Sequence, residues 1–288
     1  MYEKWKGVHT RCAFNMIQEL IPLTRPRTLA AALGPTILGA AFSYYAFGAA
    51  QGTGLAILHT VLIFLAVVTA QIVANLWNEY KDFKSGLDAG QKVGNAGSIT
   101  RGVITPELII TMIKVLMFVP IIIGLYLSAT ITWYYIPVGF LCILISFLYS
   151  GGPKPISRTP FGEISSGIAM GFTIVLITGY AWIRELSLAL LIPAIPSTLL
   201  VGSIMLTNNI RDIRNDESHG RHTLPIVLGR ERALSLMSIS YIFNFIWIIA
   251  WIIVGHMTWF ALLAFLAAPL AFKTIRTLST NTDEFQLD

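Results

Sequence analysis

The sequence predicts an all-α protein built as a bundle of membrane-spanning helices. Hydrophobic residues make up 55% of its 288 positions and charged residues only 12%, and the mean hydropathy is +0.69. In a soluble domain about a quarter of the residues are charged, so this composition indicates a membrane protein. Apolar runs of about 20 residues, the length that a helix needs to cross a bilayer, recur along the chain. They lack the alternation typical of a membrane barrel, so we expect helices.

Eight apolar runs are candidate spans. They cover residues 28–50, 54–76, 107–127, 131–150, 162–183, 187–208, 233–254 and 257–272. The alternative for the first run is a cleaved signal peptide, but it starts too late and is too long for one. We therefore predict a single transmembrane domain over residues 1–288.

Lysine and arginine residues lie almost entirely on one side of these spans. With the N-terminus inside, eighteen of the twenty fall in the inner segments, Lys114 lies within the third span, and only Arg184 falls in an outer loop. The inner segments are 1–27, 77–106, 151–161, 209–232 and 273–288. This bias predicts a cytoplasmic N-terminus in the cell membrane. The net charge of +5 then reflects orientation and contact with the lipid bilayer, and it predicts no nucleic-acid partner.

Oxygen-bearing side chains cluster where the second span ends, in the sequence NLWNEYKDFKSGLD at 75–88. They belong to Asn75, Asn78, Glu79, Asp82 and Asp88. A continuing helix places Asn75, Asn78 and Asp82 on one face, because they are spaced by three and four, and Glu79 lies beside them. Gly86 predicts the end of that helix and leaves Asp88 on the following loop.

A second polar stripe follows the sixth span on the same side of the membrane. Asn208, Asp212 and Asp216 recur every four residues within NNIRDIRNDESHGRHT. This weak echo of the first stretch indicates two similar sites that face one cavity.

The two stripes together predict a magnesium and diphosphate site. Mg²⁺ usually binds through one or two carboxylates, waters and the phosphates of its substrate. The predicted metal ligands are Asn78, Glu79, Asp82, Asp88, Asp212 and Asp216. The alternative is that these residues are solvated loop charges that only end helices. We favour the site because asparagines lie one turn inside the apolar boundary, where polar groups are costly unless they line a cavity.

Basic residues in the same loops are candidate partners of the diphosphate. They are Lys84, Arg101, Lys154, Arg211, Arg214 and Arg221. Membrane topology alone accounts for any one of them, but Arg101, Lys154 and Arg211 adjoin Gly, Pro or Asp features typical of ordered loops. The predicted diphosphate-binding set is Asn75, Lys84, Arg101, Lys154, Asn208 and Arg211. His219 and His222 are three apart, but they lack the further ligands of a transition-metal site, so we interpret them as loop residues.

Five stretches of the chain resemble the UbiA-type intramembrane prenyltransferases. They are RPRTLAAALGPTILGAA at 25–41, NLWNEYKDFKSGLD at 75–88, GSITRGVITPE at 97–107, YSGGPKPI at 149–156 and NNIRDIRNDESHGRHTLPIVLG at 208–229. The branch that they most resemble is the 1,4-dihydroxy-2-naphthoate polyprenyltransferases of menaquinone biosynthesis.

The resemblance implies nine transmembrane helices around a central cavity and two Asp-rich motifs that bind a magnesium-bridged prenyl diphosphate. The pattern NDxxDxxxD falls on Asn78, Glu79 and Asp82, with Gly86 at its last acidic position. The pattern DxxxD falls on Asp212 and Asp216. Because eight spans are visible, we expect the chain to lack the last C-terminal helix, either by truncation or as a natural eight-span form.

The resemblance also implies the reaction. A polyprenyl group passes from polyprenyl diphosphate to 1,4-dihydroxy-2-naphthoate with loss of CO2 and diphosphate, which gives demethylmenaquinone and requires Mg²⁺. The predicted catalytic residues are Asn78, Tyr149, Asp82, Asp212 and Asp216. Tyr149 would face the allylic cation or the reactive carbon, and its alternative role is that of an interfacial aromatic anchor.

Two alternatives to this function remain open. The same diphosphate site would serve another acceptor, such as a 4-hydroxybenzoate, homogentisate or haem. A secondary transporter would instead carry ionisable groups near the middle of the bilayer. In this sequence they cluster at one membrane face, which favours the enzyme.

Overall fold

A computed structural model describes residues 21–86 and 98–280, and within those two segments the fold is helical without a strand. Six longer helices come first in chain order: α1 (Ala30–Phe47), α2 (Thr53–Ser85), α3 (Pro106–Thr130), α4 (Tyr135–Ser150), α5 (Gly162–Ile183) and α6 (Leu188–Arg211). Two short helices and two long ones follow: α7 (Ile213–Ser218), α8 (Leu224–Leu228), α9 (Arg230–Ile253) and α10 (Trp259–Thr280). The predicted all-α fold is confirmed.

Seven of these helices are long and apolar enough to cross a membrane, and α4 is a shorter apolar helix. All eight overlap the predicted spans, as expected for a multi-pass membrane protein. The largest differences lie at α2, which continues to Ser85 instead of ending at residue 76, and at α10. The first nine residues of α10, Trp259–Ala267, form a 3₁₀ helix, and the α-helical part extends to Thr280. The predicted absence of a ninth helix concerns residues beyond the described part of the chain.

The extension of α2 beyond its predicted span ends where the sequence predicted. Gly86 adopts a positive φ of 76°, a left-handed conformation that glycine accepts without strain. A buried cluster just before this extension joins α2 to the segment before α1, the turn at residues 98–104 and α3. Its members are Leu23, Val73, Leu76, Ile99, Ile104, Ile109 and Ile113.

A π-helical segment inside α5, Gly167–Phe172, packs closely against α6. A Cβ atom added at Gly171 would lie 2.6 Å from the Thr198 Cα atom, so only glycine fits there. The hydroxyl of Ser197 donates a hydrogen bond of 3.1 Å to the Gly171 carbonyl. This close packing brings the first turn of α5 beside the last turn of α6.

The second polar stripe crosses a break between α6 and α7. Helix α6 ends at Arg211, and Asp212 separates it from α7. Helical hydrogen bonds nevertheless continue through the break, from the Asp212 amide to the Asn208 carbonyl and from the Asp216 amide to the Asp212 carbonyl, at 3.0 and 2.9 Å. The four-residue spacing predicted for the stripe is therefore retained.

Candidate active site

A cavity of about 320 Å³ lies among helices α2 to α6. Most of its wall is apolar and includes Ile63, Val67, Leu127, Ile143 and Ile174. At 1.5 Å per residue, the part of α2 that lines it, from Ile63 to Asn78, is about 22 Å long. The cavity therefore has the shape and lining of a site for a long apolar chain.

One end of the cavity is polar. Its lining there consists of Arg25, Asn75, Asn78, Tyr149, Ser150, Ser166 and Asn208. Asn75 donates to the Thr24 carbonyl at 3.0 Å, and the Asn78 side-chain oxygen accepts from the Ser150 hydroxyl at 2.9 Å. The structure thus brings together the asparagines of both predicted stripes at one end of one cavity, with Tyr149 beside them.

Two acidic side chains farther along the same stripes, Asp82 one turn beyond Asn78 and Asp216 two turns beyond Asn208, meet at Arg221. Its guanidinium contacts the Asp82 carboxylate at 3.3 Å through Nη2 and the Asp216 carboxylate at 3.2 Å through Nη1. The side chains of Arg221 and Asp82 are each 14% exposed and that of Asp216 is 3% exposed. One buried cation thereby joins the first motif to the second.

Asp212 has a different environment from the other two aspartates. Its carboxylate forms a two-bond pair with the preceding residue, Arg211, at 2.7 Å from Nε and 2.9 Å from Nη2. About a third of each side chain is exposed. The pair lies beside the break between α6 and α7, so the predicted diphosphate ligand Arg211 is held by its own neighbour.

Glu79, the second carboxylate of the first motif, is almost fully buried at 2% exposure. Its Oε1 atom accepts hydrogen bonds from the backbone amides of Ser98 and Ile99, at 2.6 and 3.4 Å. The side chain therefore fastens the end of the connection between α2 and α3 to α2. Asp88, the remaining predicted ligand of this motif, lies outside the described residues.

The other predicted basic residues lie away from the cavity lining. Lys84 and Lys154 are exposed, and Arg101 donates to the Ser98 hydroxyl at 3.2 Å. One arginine that the sequence did not single out, Arg25, is better placed because it lines the cavity.

A buried carboxylate on α5 was also missed by sequence reasoning. Glu163 is 5% exposed, and its Oε1 atom accepts a hydrogen bond of 2.8 Å from Asn209. The second oxygen of Glu163 has no hydrogen-bond partner among the described protein atoms. The only hint in the sequence was the pair of asparagines at 208–209, because Asn208 lines the cavity whereas Asn209 binds Glu163.

The donor set suits Mg²⁺ although the described residues contain no ready group of three or more His, Cys, Asp or Glu side chains. Magnesium keeps several waters and needs only one or two carboxylates when a phosphate completes its coordination. Asp82 and Asp216 already converge on one cation, the Arg221 guanidinium. These two carboxylates therefore match the number of protein ligands that a magnesium diphosphate needs.

Known proteins resemble this chain over most of its length. Residues 32–284 match the model of the UbiA prenyltransferase family. A 1,4-dihydroxy-2-naphthoate octaprenyltransferase of Bacillus subtilis is 35% identical over 93% of this chain and 84% of its own. An enzyme of the same name from Escherichia coli is 28% identical over 95% of this chain and 89% of its own.

Solved structures share the fold. A UbiA homolog from Aeropyrum pernix, solved without ligand, superposes with a TM-score of 0.68 at 19% identity and covers 91% of this chain and 92% of its own. A UbiA homolog from Archaeoglobus fulgidus, solved with DMAPP and Mg²⁺, has a TM-score of 0.59 at 16% identity and covers 92% of this chain and 85% of its own.

Proposed function

The chain belongs to the UbiA prenyltransferase family, and we propose that it transfers a polyprenyl group from polyprenyl diphosphate to 1,4-dihydroxy-2-naphthoate. The reaction releases CO2 and diphosphate and gives demethylmenaquinol, the reduced form of demethylmenaquinone. The observation that carries the choice of acceptor is the 35% identity, over 93% of the chain, to an enzyme named for that acceptor.

The cavity supports the proposed donor. An isoprenoid tail is apolar, and the wall from Ile63 to Ile174 offers apolar surface, whereas the end lined by Asn78 and Asn208 suits the charged head group. The two carboxylates bound to Arg221 follow those asparagines by one or two helical turns. We therefore place the allylic carbon–oxygen bond that breaks at the polar end of the cavity.

The proposed magnesium ligands are Asp82 and Asp216, with Asn78 and Asp212 as further oxygen donors. Mg²⁺, when bound there, would neutralise negative charge on the diphosphate. Arg25 and Arg221 are the proposed basic partners of the diphosphate, because Arg25 lines the cavity and Arg221 lies between the two carboxylates. Guanidinium groups suit phosphate oxygens because they donate hydrogen bonds in pairs.

The bonds change in a balanced sequence. The allylic carbon–oxygen bond breaks and its electron pair leaves with the diphosphate. The ring carbon that bears the carboxylate supplies the electron pair of the new carbon–carbon bond. The bond to the carboxylate then breaks, its electrons return to the ring, and CO2 departs.

The surrounding side chains protect the cation formed in the first step. Apolar walls exclude the water that would otherwise capture it. Tyr149, which lines the polar end of the cavity, is proposed to turn its ring toward the cation, since aromatic faces attract positive charge.

The proposed location is the cell membrane, with the N-terminus and the active-site loops on the cytoplasmic side. Both motifs and eighteen of the twenty Lys and Arg residues share one side in the predicted topology. A cysteine-labelling experiment with an impermeant reagent, at Lys84 and at Glu185, tests the orientation.

The function is tested with membranes that contain this protein. They are incubated with Mg²⁺, labelled polyprenyl diphosphate and, separately, 1,4-dihydroxy-2-naphthoate, 4-hydroxybenzoate and homogentisate, and the products are identified by mass spectrometry. A prenylated, decarboxylated naphthoquinol is the expected product. A product from another acceptor alone would assign the chain to a different branch of the family.

A further inference from the structure

Arg221 lies between the two acidic motifs, at the position where a metal ion would also bind. Two carboxylates, Asp82 and Asp216, lie against one guanidinium, and all three side chains are largely shielded from water. A buried carboxylate without a positive partner is strongly destabilising, so each of these aspartates depends on the guanidinium in the substrate-free protein. The motifs therefore have a counter-ion of their own.

The backbone that carries Arg221 is fixed independently of its side chain. The Arg221 amide donates to the Asp216 carbonyl and the His222 amide donates to the Arg158 carbonyl, both at 3.0 Å. Thr223, the next residue, is fully buried. Gly220 supplies the turn with a positive φ of 68°. Movement of the guanidinium therefore needs only rotation of its long side chain.

We propose that Arg221 is an internal counter-ion that holds Asp82 and Asp216 together in the substrate-free protein and passes to the diphosphate when the metal arrives with it. This inference rests on the proposed function, because it assigns the two carboxylates to Mg²⁺. Arg221 thus positions the carboxylates in the substrate-free protein and binds the diphosphate once the substrate is present.

A coupling between metal and diphosphate follows from this exchange. Free Mg²⁺ must displace the guanidinium from both carboxylates, and the displaced cation gains no new partner. A magnesium diphosphate brings anionic oxygens that the guanidinium can bind, so the exchange is then favourable. The substrate-free site consequently binds Mg²⁺ weakly and responds to metal and diphosphate together.

Substitution of Arg221 tests the proposal without any measurement of turnover. Binding of Mg²⁺ alone, and of inorganic pyrophosphate with and without Mg²⁺, is measured by calorimetry on the purified full chain in detergent. Arg221→Gln is expected to bind Mg²⁺ alone at least about tenfold more tightly than the unchanged protein. It is expected to bind magnesium pyrophosphate at least about tenfold more weakly.

Arg232→Gln is the matched control. It removes the same charge from the same predicted inner segment, but Arg232 is exposed, so both affinities should change less than about threefold. Arg221→Lys serves if the glutamine variant does not fold, because an ammonium group makes a weaker bridge and Mg²⁺ should again bind more tightly. Unchanged or weaker binding of Mg²⁺ alone in the folded variants overturns the proposal.

The proposed reaction and the proposed role of Arg221 can be refuted independently. The acceptor experiment on the unchanged protein decides the proposed reaction. The affinity for Mg²⁺ alone decides whether Arg221 competes with the metal, whichever aromatic acceptor is used.

Discussion

Arg221 donates a hydrogen bond of 3.3 Å to the Asp82 carboxylate across 139 residues of sequence. The bond connects the C-terminal end of α2 to the connection between α7 and α8. Since Arg221 also contacts Asp216 at 3.2 Å, both acidic motifs meet at this one side chain. The site is therefore formed by packing of distant helices, and neither motif forms it alone.

Asp82→Asn should lower prenyl transfer by about 100-fold or more, the size of loss that follows removal of one charge-stabilising group from an active site. The amide keeps the shape of the side chain but removes one of the two charges that face Arg221. Product formation is measured in membranes with equal amounts of folded protein. Glu185→Gln, an exposed acid in the predicted outer loop, is the control and should keep full activity. An Asp82→Asn variant within twofold of the unchanged protein would remove this carboxylate from the mechanism.

Chelation of divalent metal should stop the reaction reversibly. EDTA in excess is expected to reduce product formation to background, and Mg²⁺ added beyond the chelator should restore it, because the proposed diphosphate site uses hard oxygen ligands. Ca²⁺ at the same concentration should restore less, since Mg²⁺ requires a tighter octahedral arrangement. Turnover that persists in EDTA would contradict the magnesium proposal.

Sequence alone predicted the helices well because bilayer length and apolarity control them. The stop at Gly86 and the shared face of Asn75, Asn78 and Asp82 also followed from local rules, namely the left-handed conformation of glycine and the helical repeat. The π-helical segment in α5 did not follow, because its cause is the contact of Gly171 with Thr198 on another helix.

The role of Arg221 escaped sequence reasoning for a physical reason. Every cytoplasmic loop of a membrane protein is enriched in Lys and Arg, so composition makes Arg214 and Arg221 look equivalent. Their difference is tertiary, since one is exposed and the other lies between two carboxylates. Glu79 is similar: the motif predicts a metal ligand, whereas its bonds run to backbone amides 19 and 20 residues away.

Glu79→Ala should destabilise the protein by about 1–3 kcal/mol, the cost of leaving a buried donor unpaired. The affected donors are the amides of Ser98 and Ile99, which are 0% and 3% exposed. Glu79→Gln keeps an oxygen that can accept from both amides and should retain most of the stability. Thermal unfolding in detergent measures both. If Glu79 serves mainly as a metal ligand, the alanine variant will instead keep its stability, and the glutamine variant will require much more Mg²⁺ for turnover.

Gly171→Ala should destabilise the bundle by about 1–3 kcal/mol through overpacking. The new methyl group would lie 2.6 Å from the Thr198 Cα atom and 2.7 Å from the Ser197 carbonyl oxygen, and backbone atoms cannot turn away. Gly34→Ala in α1 is the control, because a Cβ atom there meets nothing within 4 Å. That control should be neutral or slightly stabilising, as for alanine replacing glycine in a helix. Equal melting temperatures for the two variants would show that α5 and α6 can separate without cost.

Ala66→Phe should shorten the prenyl chain that the enzyme accepts. Ala66 lines the cavity and, at 1.5 Å per residue along α2, lies about 18 Å from Asn78 at the polar end. A phenyl ring there would block a long tail but leave room for a short one. Transfer from octaprenyl diphosphate should fall at least about tenfold, while transfer from geranyl diphosphate should stay within twofold. Leu65→Phe is the matched control, because Leu65 is 46% exposed on the outer surface of the same helix. Equal losses with both donors would show that the tail leaves the cavity between helices before it reaches Ala66.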